Sequence, residues 1–224
     1  MDKEQLFNIL AKQPKSVLLD ALSSAYNELT TRQQRWIFEE FIPEPSSIDS
    51  KKLLKDVKKF EQDSLSGVYY AQFDINSKNY MHIPEETEEW FDRLGDLLKE
   101  STRLTEQKEH AQAVECFDIL FKLIAEMEKG EEIVFAHELG SWMIPGGEKK
   151  ALAAYISSLA ATKSPEEFTA IVLPFVKRDS YHSFADKVYT SANRFASKEQ
   201  KAHLNAELKR QQIPTGPKSK RARK

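Results

Sequence analysis

The chain has 224 residues, of which 40% are hydrophobic and 30% are charged, and its formal net charge is −2. This length can bury a sizeable core, and the composition suits a soluble globular or helical-repeat protein. The single cysteine, Cys116, excludes an internal disulfide and a multi-cysteine metal site, and no apolar run approaches the roughly 18 residues of a membrane span. The early acids of the first residues indicate no signal peptide, so we expect a cytoplasmic location.

Residues 1–66 are predicted to form an N-terminal helical unit. Helical spacing of apolar residues predicts helices over 2–11, 14–29 and 48–65. A further helix is predicted between the second and third of these, in TTRQQRWIFEEF. Asp2 with Gln5 and Thr31 with Gln34 have the spacing of capping boxes. In the helix over 48–65 the apolar residues alternate with lysines that we expect to face outward, namely Lys51, Lys52, Lys55, Lys58 and Lys59.

Residues 67–83 are predicted to form an aromatic-rich connection between this unit and the rest of the chain. Tyr69, Tyr70, Phe73 and Tyr80 are dense and partly β-like, while the stretch DINSKN is typical of a turn. An ordered connection, with or without a short hairpin, fits this pattern. The stretch therefore marks the predicted boundary of the main domain.

Residues 84–213 are predicted to form an array of helices, which makes the whole protein all-α. The scarcity of glycine, 7 in the chain, favours helices over sheets. Pro84 opens the first helix, Ser164 and Ser197 have capping partners three residues later, and Pro174 should kink or end its helix. Another helix is expected over about 131–143. One buried stripe is predicted in the helix over 107–129, formed by Ala113, Phe117, Leu120, Ile124 and Met127.

Three stretches of this array repeat one pattern, a small residue followed four positions later by an aromatic one. The pairs are Ala113/Phe117, Ala151/Tyr155 and Ala185/Tyr189, so the aromatic residues are 38 and 34 positions apart. Periods of this size are typical of stacked helical hairpins. A helical bundle with alanine-rich helices is the alternative interpretation.

One segment, residues 90–127, resembles a tetratricopeptide repeat. Leu94-Gly95, Leu98 and the pair Ala113/Phe117 are similar to the Leu-Gly, later large residue and Ala-x3-Phe positions of that family. The resemblance implies antiparallel hairpins of the TPR or HEAT kind, a fold commonly used to bind peptides or other proteins. The chain as a whole also resembles bacterial helical proteins, a likeness that implies no function.

The charge is unevenly distributed along the chain. Residues 84–138 hold 16 Asp and Glu against 6 Lys and Arg, a net charge of −10. Acidic, histidine and tryptophan residues are concentrated at the end of this stretch. We therefore predict a partner-binding surface there, formed by Glu131, Glu132, His137, Glu138 and Trp142. The same cluster could instead line an enzyme's cleft, or simply be a solvated acidic face.

Residues 214–224 are predicted to be a disordered basic tail. It contains five cationic residues and no acidic one, so it could contact the phosphates of a nucleic acid. Alternatively, it could be a solubilising end or an arm that docks on the acidic middle of the chain. The predicted phosphate contacts are Lys218, Lys220, Arg221, Arg223 and Lys224.

The sequence predicts a non-enzymatic module or scaffold that binds a protein or basic peptide through an acidic helical surface. The alternative is a nucleic-acid-associated accessory protein that works through its basic tail. No catalytic motif is found, and neither a cofactor, a metal nor a membrane is expected. His137-Glu138 starts like a zinc motif, but Ser141 stands where the second histidine is required. The sequence indicates no oligomeric state.

Overall fold

The regular structure of this protein is helical, so the prediction of an all-α protein is confirmed. Among the residues described below, none lies in a β-strand. The structure is a computed structural model, and the side chains of residues 31, 32, 35, 36, 137–139 and 183–186 are not described. The described residues are 2–29, 31–38, 41, 47–135, 137–146, 148–177 and 183–213.

The chain divides into two compact units, Met1–Pro45 and Ser46–Lys224. The first contains α1 (Lys3–Leu10), α2 (Lys15–Glu28) and α3 (Thr31–Phe38). Neither α1 nor α2 buries a residue, and large apolar side chains such as Phe7 and Leu22 are exposed. The capping box predicted from Asp2 and Gln5 is wrong, because the Asp2 side chain makes no capping hydrogen bond.

Gln34 joins α3 to the end of α2. Its side-chain amide donates to the carbonyl oxygens of Tyr26, at 2.8 Å, and Leu29, at 3.2 Å. The amide therefore holds the end of α2 and the residue after it. Gln34 was also expected to form a capping box with Thr31, whose side chain lies outside the described residues.

The second unit contains the core of the protein. Its helices are α4 (Ser50–Leu65), α5 (Glu85–Glu106), α6 (His110–Glu128), α7 (Glu148–Thr162), α8 (Pro165–Lys177), α9 (Ser183–Phe195) and α10 (Lys198–Arg210). A 3-10 segment, His137–Met143, precedes α7. Helix α6 packs against α4, α5 and α7; α7 also packs against α5 and α9; and α8 packs against α9 and α10.

The predicted stripe of α6 is confirmed, since all five of its residues are fully buried. The reciprocal capping boxes of α8 (Ser164 with Glu167) and α10 (Ser197 with Gln200) are also present. Pro174 does not end α8, which continues to Lys177. These features depend on residues within one helical turn of each other, which explains why the sequence reveals them.

Helix α4 belongs to the second unit, although the sequence grouped it with the N-terminal helices. Its residues Leu53, Val57 and Phe60 are buried where it packs on α5 and α6. Ile48, two residues before α4 begins, is tied to the end of α5 by Gln107, whose side chain accepts from Ile48 N at 2.6 Å and donates to Ile48 O at 3.1 Å. The division between the units therefore falls before α4, while the connection 67–83 lies within the second unit.

Two stretches of the second unit between its helices are irregular. The connection 67–83, where the sequence left a short hairpin open, contains no hairpin: it has a turn near each end and an irregular stretch between them. Asn79 holds the second turn, since its side chain accepts from Asn76 N and donates to Asp74 O. The prediction of a helix over 131–143 is wrong, because among the described residues only the 3-10 segment forms there. Gly140 interrupts even that segment with φ 68 and ψ −174, a conformation that is outside the helical region and that glycine readily adopts.

Candidate partner-binding surface

The predicted binding residues lie on an irregular segment, residues 131–146, which we call the anchored segment. It starts after Gly130, whose φ of 88 ends α6. Four apolar side chains of the segment are buried, so the segment is packed onto the protein although it is mostly not helical. These side chains are Ile133, Val134, Met143 and Ile144.

The anchored segment is held against α5 at two places. Near one end, the Thr87 hydroxyl donates to the carbonyl oxygen of Phe135 at 2.9 Å. Near the other end, Pro145 packs directly on Gly95, where an added Cβ would lie 3.0 Å from Pro145 Cδ and 3.2 Å from its carbonyl oxygen. Thr87 and Gly95 are eight residues apart, about 12 Å along the helix axis. The segment is therefore fixed along two turns of α5.

The connection 67–83 meets the anchored segment at Phe135. The ring centroid of Phe135 lies 4.9 Å from that of Phe73 and 6.1 Å from that of Tyr70, and Phe73 also contacts His82 at 5.2 Å. Edge-to-face and tilted ring pairs at these distances are favourable. The connection carries exposed Ile75, Tyr80 and Met81 beside this cluster in sequence.

Trp142 is the most conspicuous residue of the anchored segment, because 73% of its side chain is exposed while the next two residues are buried. Glu131 and Glu132 are also exposed, at the start of the same segment. Three of the five predicted residues are thus exposed on the anchored segment. The side chains of the other two, His137 and Glu138, lie outside the described residues.

The residues that fix this surface were not predicted from the sequence; they are Thr87, Gly95, Phe135 and Pro145. One of these four residues, Gly95, could have been identified from the sequence. A glycine within a helix costs about 1 kcal/mol relative to alanine, so Gly95 indicated a close approach by another part of the chain. The sequence could not show that the approaching residue is Pro145, which lies fifty positions further on.

Polar groups elsewhere in the second unit serve packing. Ser158 Oγ is fully buried and lies 2.9 Å from Thr105 Oγ1 and 3.2 Å from His110 Nδ1. Thr105, His110 and Ser158 thus link α5, α6 and α7. The Ser158 hydroxyl is buried and therefore not accessible to a substrate. Within the described part of the chain, no group of three or more His, Cys, Asp or Glu side chains is arranged to hold a metal ion. The described helices also include none with the length and apolar content of a membrane span.

Cys116 should react slowly with thiol reagents in the folded protein. It is fully buried on α6. Burial, partly offset by a hydrogen bond with Ser101, raises the pKa of its thiol to about 11. The thiolate is the reactive form, so at pH 8 a pKa raised by two units reduces its population about 100-fold. Mass spectrometry of iodoacetamide labelling should therefore show a native rate at least about 100-fold below the rate in 8 M urea. Equal rates in the two conditions would contradict this prediction.

Comparison with known proteins adds no relative. The chain matches no family model, no curated protein and no solved structure. The fold and this surface therefore describe an all-α protein that exposes a tryptophan on the anchored segment. The tetratricopeptide resemblance of residues 90–127 stays a prediction.

Proposed function

We propose that this protein is a non-enzymatic binding module that holds a basic protein or peptide against the anchored segment. The observation that carries the proposal is Trp142, a large aromatic side chain that is exposed on a segment fixed to α5 at both ends. Tryptophan is enriched among the residues that contribute most to protein interfaces. A fixed segment loses little conformational entropy when a partner binds, which favours affinity.

The charge of the anchored segment and of the start of α5 supports a basic partner. Glu131 and Glu132 are exposed on the anchored segment, and Glu85, Glu86 and Glu89 are exposed at the start of α5, near Thr87 in sequence. Carboxylates on a binding surface attract lysine and arginine, speed the encounter of the two proteins and select against acidic partners. A basic peptide with one aromatic or long apolar residue fits this surface best.

The arrangement of helices supports a stacked array of antiparallel hairpins as the framework of this module. Helices α6, α7 and α9, which carry the three repeated residue pairs, pack in that order. The aromatic members of the first two pairs touch, since the Phe117 and Tyr155 ring centroids are 5.4 Å apart. Short connections such as 107–109 between packed α5 and α6 make antiparallel neighbours. The cytoplasmic location expected from the sequence is part of the same proposal.

Replacing Trp142 with alanine should weaken partner binding at least about tenfold, since hot-spot residues contribute about 2 kcal/mol or more. The probe is a library of random twelve-residue peptides selected on the immobilised protein. The selected peptides should be basic, and fluorescence anisotropy should then measure their affinity for each variant. The double variant E131Q/E132Q should weaken binding and reduce its dependence on salt.

The matched control is Leu65→Ala, which removes another exposed large apolar side chain from the same unit, on α4. This variant should bind the selected peptides as the wild type does. All three variants alter exposed side chains, so their free energies of unfolding should stay within about 0.5 kcal/mol of the wild type. The proposal fails if selection enriches no basic peptide, or if Trp142→Ala and Leu65→Ala bind equally well.

The alternative function depends on Lys218, Lys220, Arg221, Arg223 and Lys224, which lie outside the described residues. Nucleic-acid binding through this tail therefore stays a proposal from charge alone. Removal of residues 214–224 tests it directly: if the tail is the contact, retention on immobilised DNA or RNA is then lost. Retention that is unchanged by the deletion excludes the tail as the contact.

A further inference from the structure

Helix α4 has two opposite faces. One contains Leu53, Val57, Phe60 and Ser64, which are buried against the rest of the second unit. The other contains five exposed lysines, which we call the lysine face: Lys51, Lys52, Lys55, Lys58 and Lys59. At 100° per residue these five lie within an arc of about 120°, and the centre of the arc is nearly opposite the buried face.

Within this arc the helix carries no acidic residue. Lys51, Lys55 and Lys59 are four residues apart, so they form a row of cations at intervals of about 6 Å along the helix axis. Carboxylates from α5 and α6 reach the other two lysines. Lys58 forms an ion pair with Glu115 at 2.7 Å. Burial raises the pKa of the Glu100 carboxyl, and the positive charge of Lys52 is among the charges that partly offset this increase.

We propose that the lysine face binds the phosphate backbone of double-stranded nucleic acid, with Lys51, Lys55 and Lys59 as its central contacts. A lysine ammonium is a compact point charge that suits phosphate oxygens, and a row of them matches a polyanion better than a single anion. This surface is independent of the anchored segment and of the basic tail. The overall charge of −2 does not prevent it, because phosphates respond to the local charge within about a Debye length.

The composition of the lysine face decides which polyanion fits. It holds no aromatic residue on which an unpaired base could stack, which favours a duplex over a single strand. Its cations are all lysines, and Gln62 is the single amide side chain exposed within the arc, so phosphate contacts predominate and the dependence on base sequence should be weak. A membrane is a poorer partner, since the apolar face of α4 is already buried in the core and cannot insert into lipid.

The test is the binding of a fluorescent 20-base-pair duplex of arbitrary sequence to the full-length chain, measured by anisotropy between 50 and 200 mM salt. Three phosphate contacts predict that the logarithm of the association constant falls with the logarithm of salt with a slope of about −2.7 from this face. The variant K51Q/K55Q/K59Q should lower affinity at 50 mM salt by about tenfold or more and reduce the slope by about that amount. A second duplex of different sequence should behave in the same way.

The matched control is K149Q/K150Q/K198Q, which removes the same charge from three exposed lysines of α7 and α10. It should leave most of the affinity intact. A full-length variant with glutamine at residues 218, 220, 221, 223 and 224 separates the tail from the lysine face, and the effect of K51Q/K55Q/K59Q should persist in it. Circular dichroism should show that all variants keep their helices, since the substituted side chains are exposed.

Three outcomes would overturn the proposal. Equal losses in the two triple variants would mean that only the overall charge matters. Binding that disappears with the tail substitutions alone would assign the contact to the tail. Tighter binding of a poly-glutamate peptide or of phosphatidylserine vesicles than of the duplex would assign the lysine face to an acidic protein or a membrane surface.

Discussion

Replacing Trp90 with alanine should destabilise the second unit by about 3–5 kcal/mol, the usual cost of removing a buried tryptophan. Trp90 is fully buried on α5. Its ring centroid lies 5.8 Å from that of Phe60 on α4 and 5.0 Å from that of Phe91. Its indole N–H donates to the buried hydroxyl of Ser64 at 2.9 Å, and that hydroxyl donates to the Phe60 carbonyl at 2.7 Å. One substitution thus removes both the packing and a polar link between α4 and α5.

Urea unfolding followed by circular dichroism measures this loss. The variant Trp90→Phe keeps most of the ring packing and removes the N–H donor, so its cost should be smaller, about 1–3 kcal/mol. Trp142→Ala is the matched control, because it removes the same side chain from an exposed position and should change stability by less than about 0.5 kcal/mol. A loss below about 1 kcal/mol for Trp90→Ala, or equal losses at the two positions, would contradict the structure.

Replacing Tyr155 with alanine should cost about 3 kcal/mol or more. The Tyr155 ring on α7 lies 5.4 Å from Phe117 and 5.3 Å from Phe121, both on α6, and 5.9 Å from Phe175 on α8. Its hydroxyl also donates to the Asp118 carboxylate. Tyr155 therefore connects three helices, and its removal leaves a cavity that no single neighbour can fill.

The variant Tyr155→Phe separates the ring from the hydroxyl. It keeps the aromatic contacts and should cost only about 1 kcal/mol, the value of one hydrogen bond. Burial and the hydrogen bond with Asp118 raise the pKa of the Tyr155 phenol above its ordinary value. The phenol should therefore stay protonated at alkaline pH where an exposed tyrosine ionises, and ultraviolet titration of the Tyr155→Phe variant should show no loss of the tyrosines that ionise in the wild type at that pH. Equal stability losses for the Ala and Phe variants would contradict the role given to the ring.

Those features that depend on local spacing could be predicted from the sequence. The α6 stripe repeats every three or four residues, so a single helix determines which residues are buried together. The Ser164 and Ser197 caps depend on a partner three positions away. Neither requires knowledge of how the helices are arranged.

The features that depend on distant contacts could not be predicted in this way. The placement of α4 in the second unit is determined by its packing on α5 and α6, and the shape of the anchored segment by Phe135 and Pro145 against α5. An apolar pattern over 131–143 fits a buried irregular segment as well as a helix, because both require apolar residues that face the core. Gly140 is the residue that distinguishes the two, since its observed backbone conformation is not helical.

The candidate surface shows the same division. Trp142 and the glutamates were identified from composition, and the structure places Glu131, Glu132 and Trp142 at the surface. The fixation of that surface to α5 was not predicted, because it depends on a hydroxyl and a missing Cβ on a helix some fifty residues earlier in the chain. The tail residues and the side chains of His137 and Glu138 stay predictions.

The pairing of Gln107 with Ile48 has a consequence for synthesis on the ribosome. The backbone amide and carbonyl of Ile48 find their partner in a side chain that lies 59 residues later. At about 5–20 residues per second, roughly 3–12 s pass before that partner is made. During this interval the start of α4 lacks this anchor, and until α5 is made Phe60 of α4 has no Trp90 ring to pack against. Formation of this anchor therefore waits until the far end of α5 has been made.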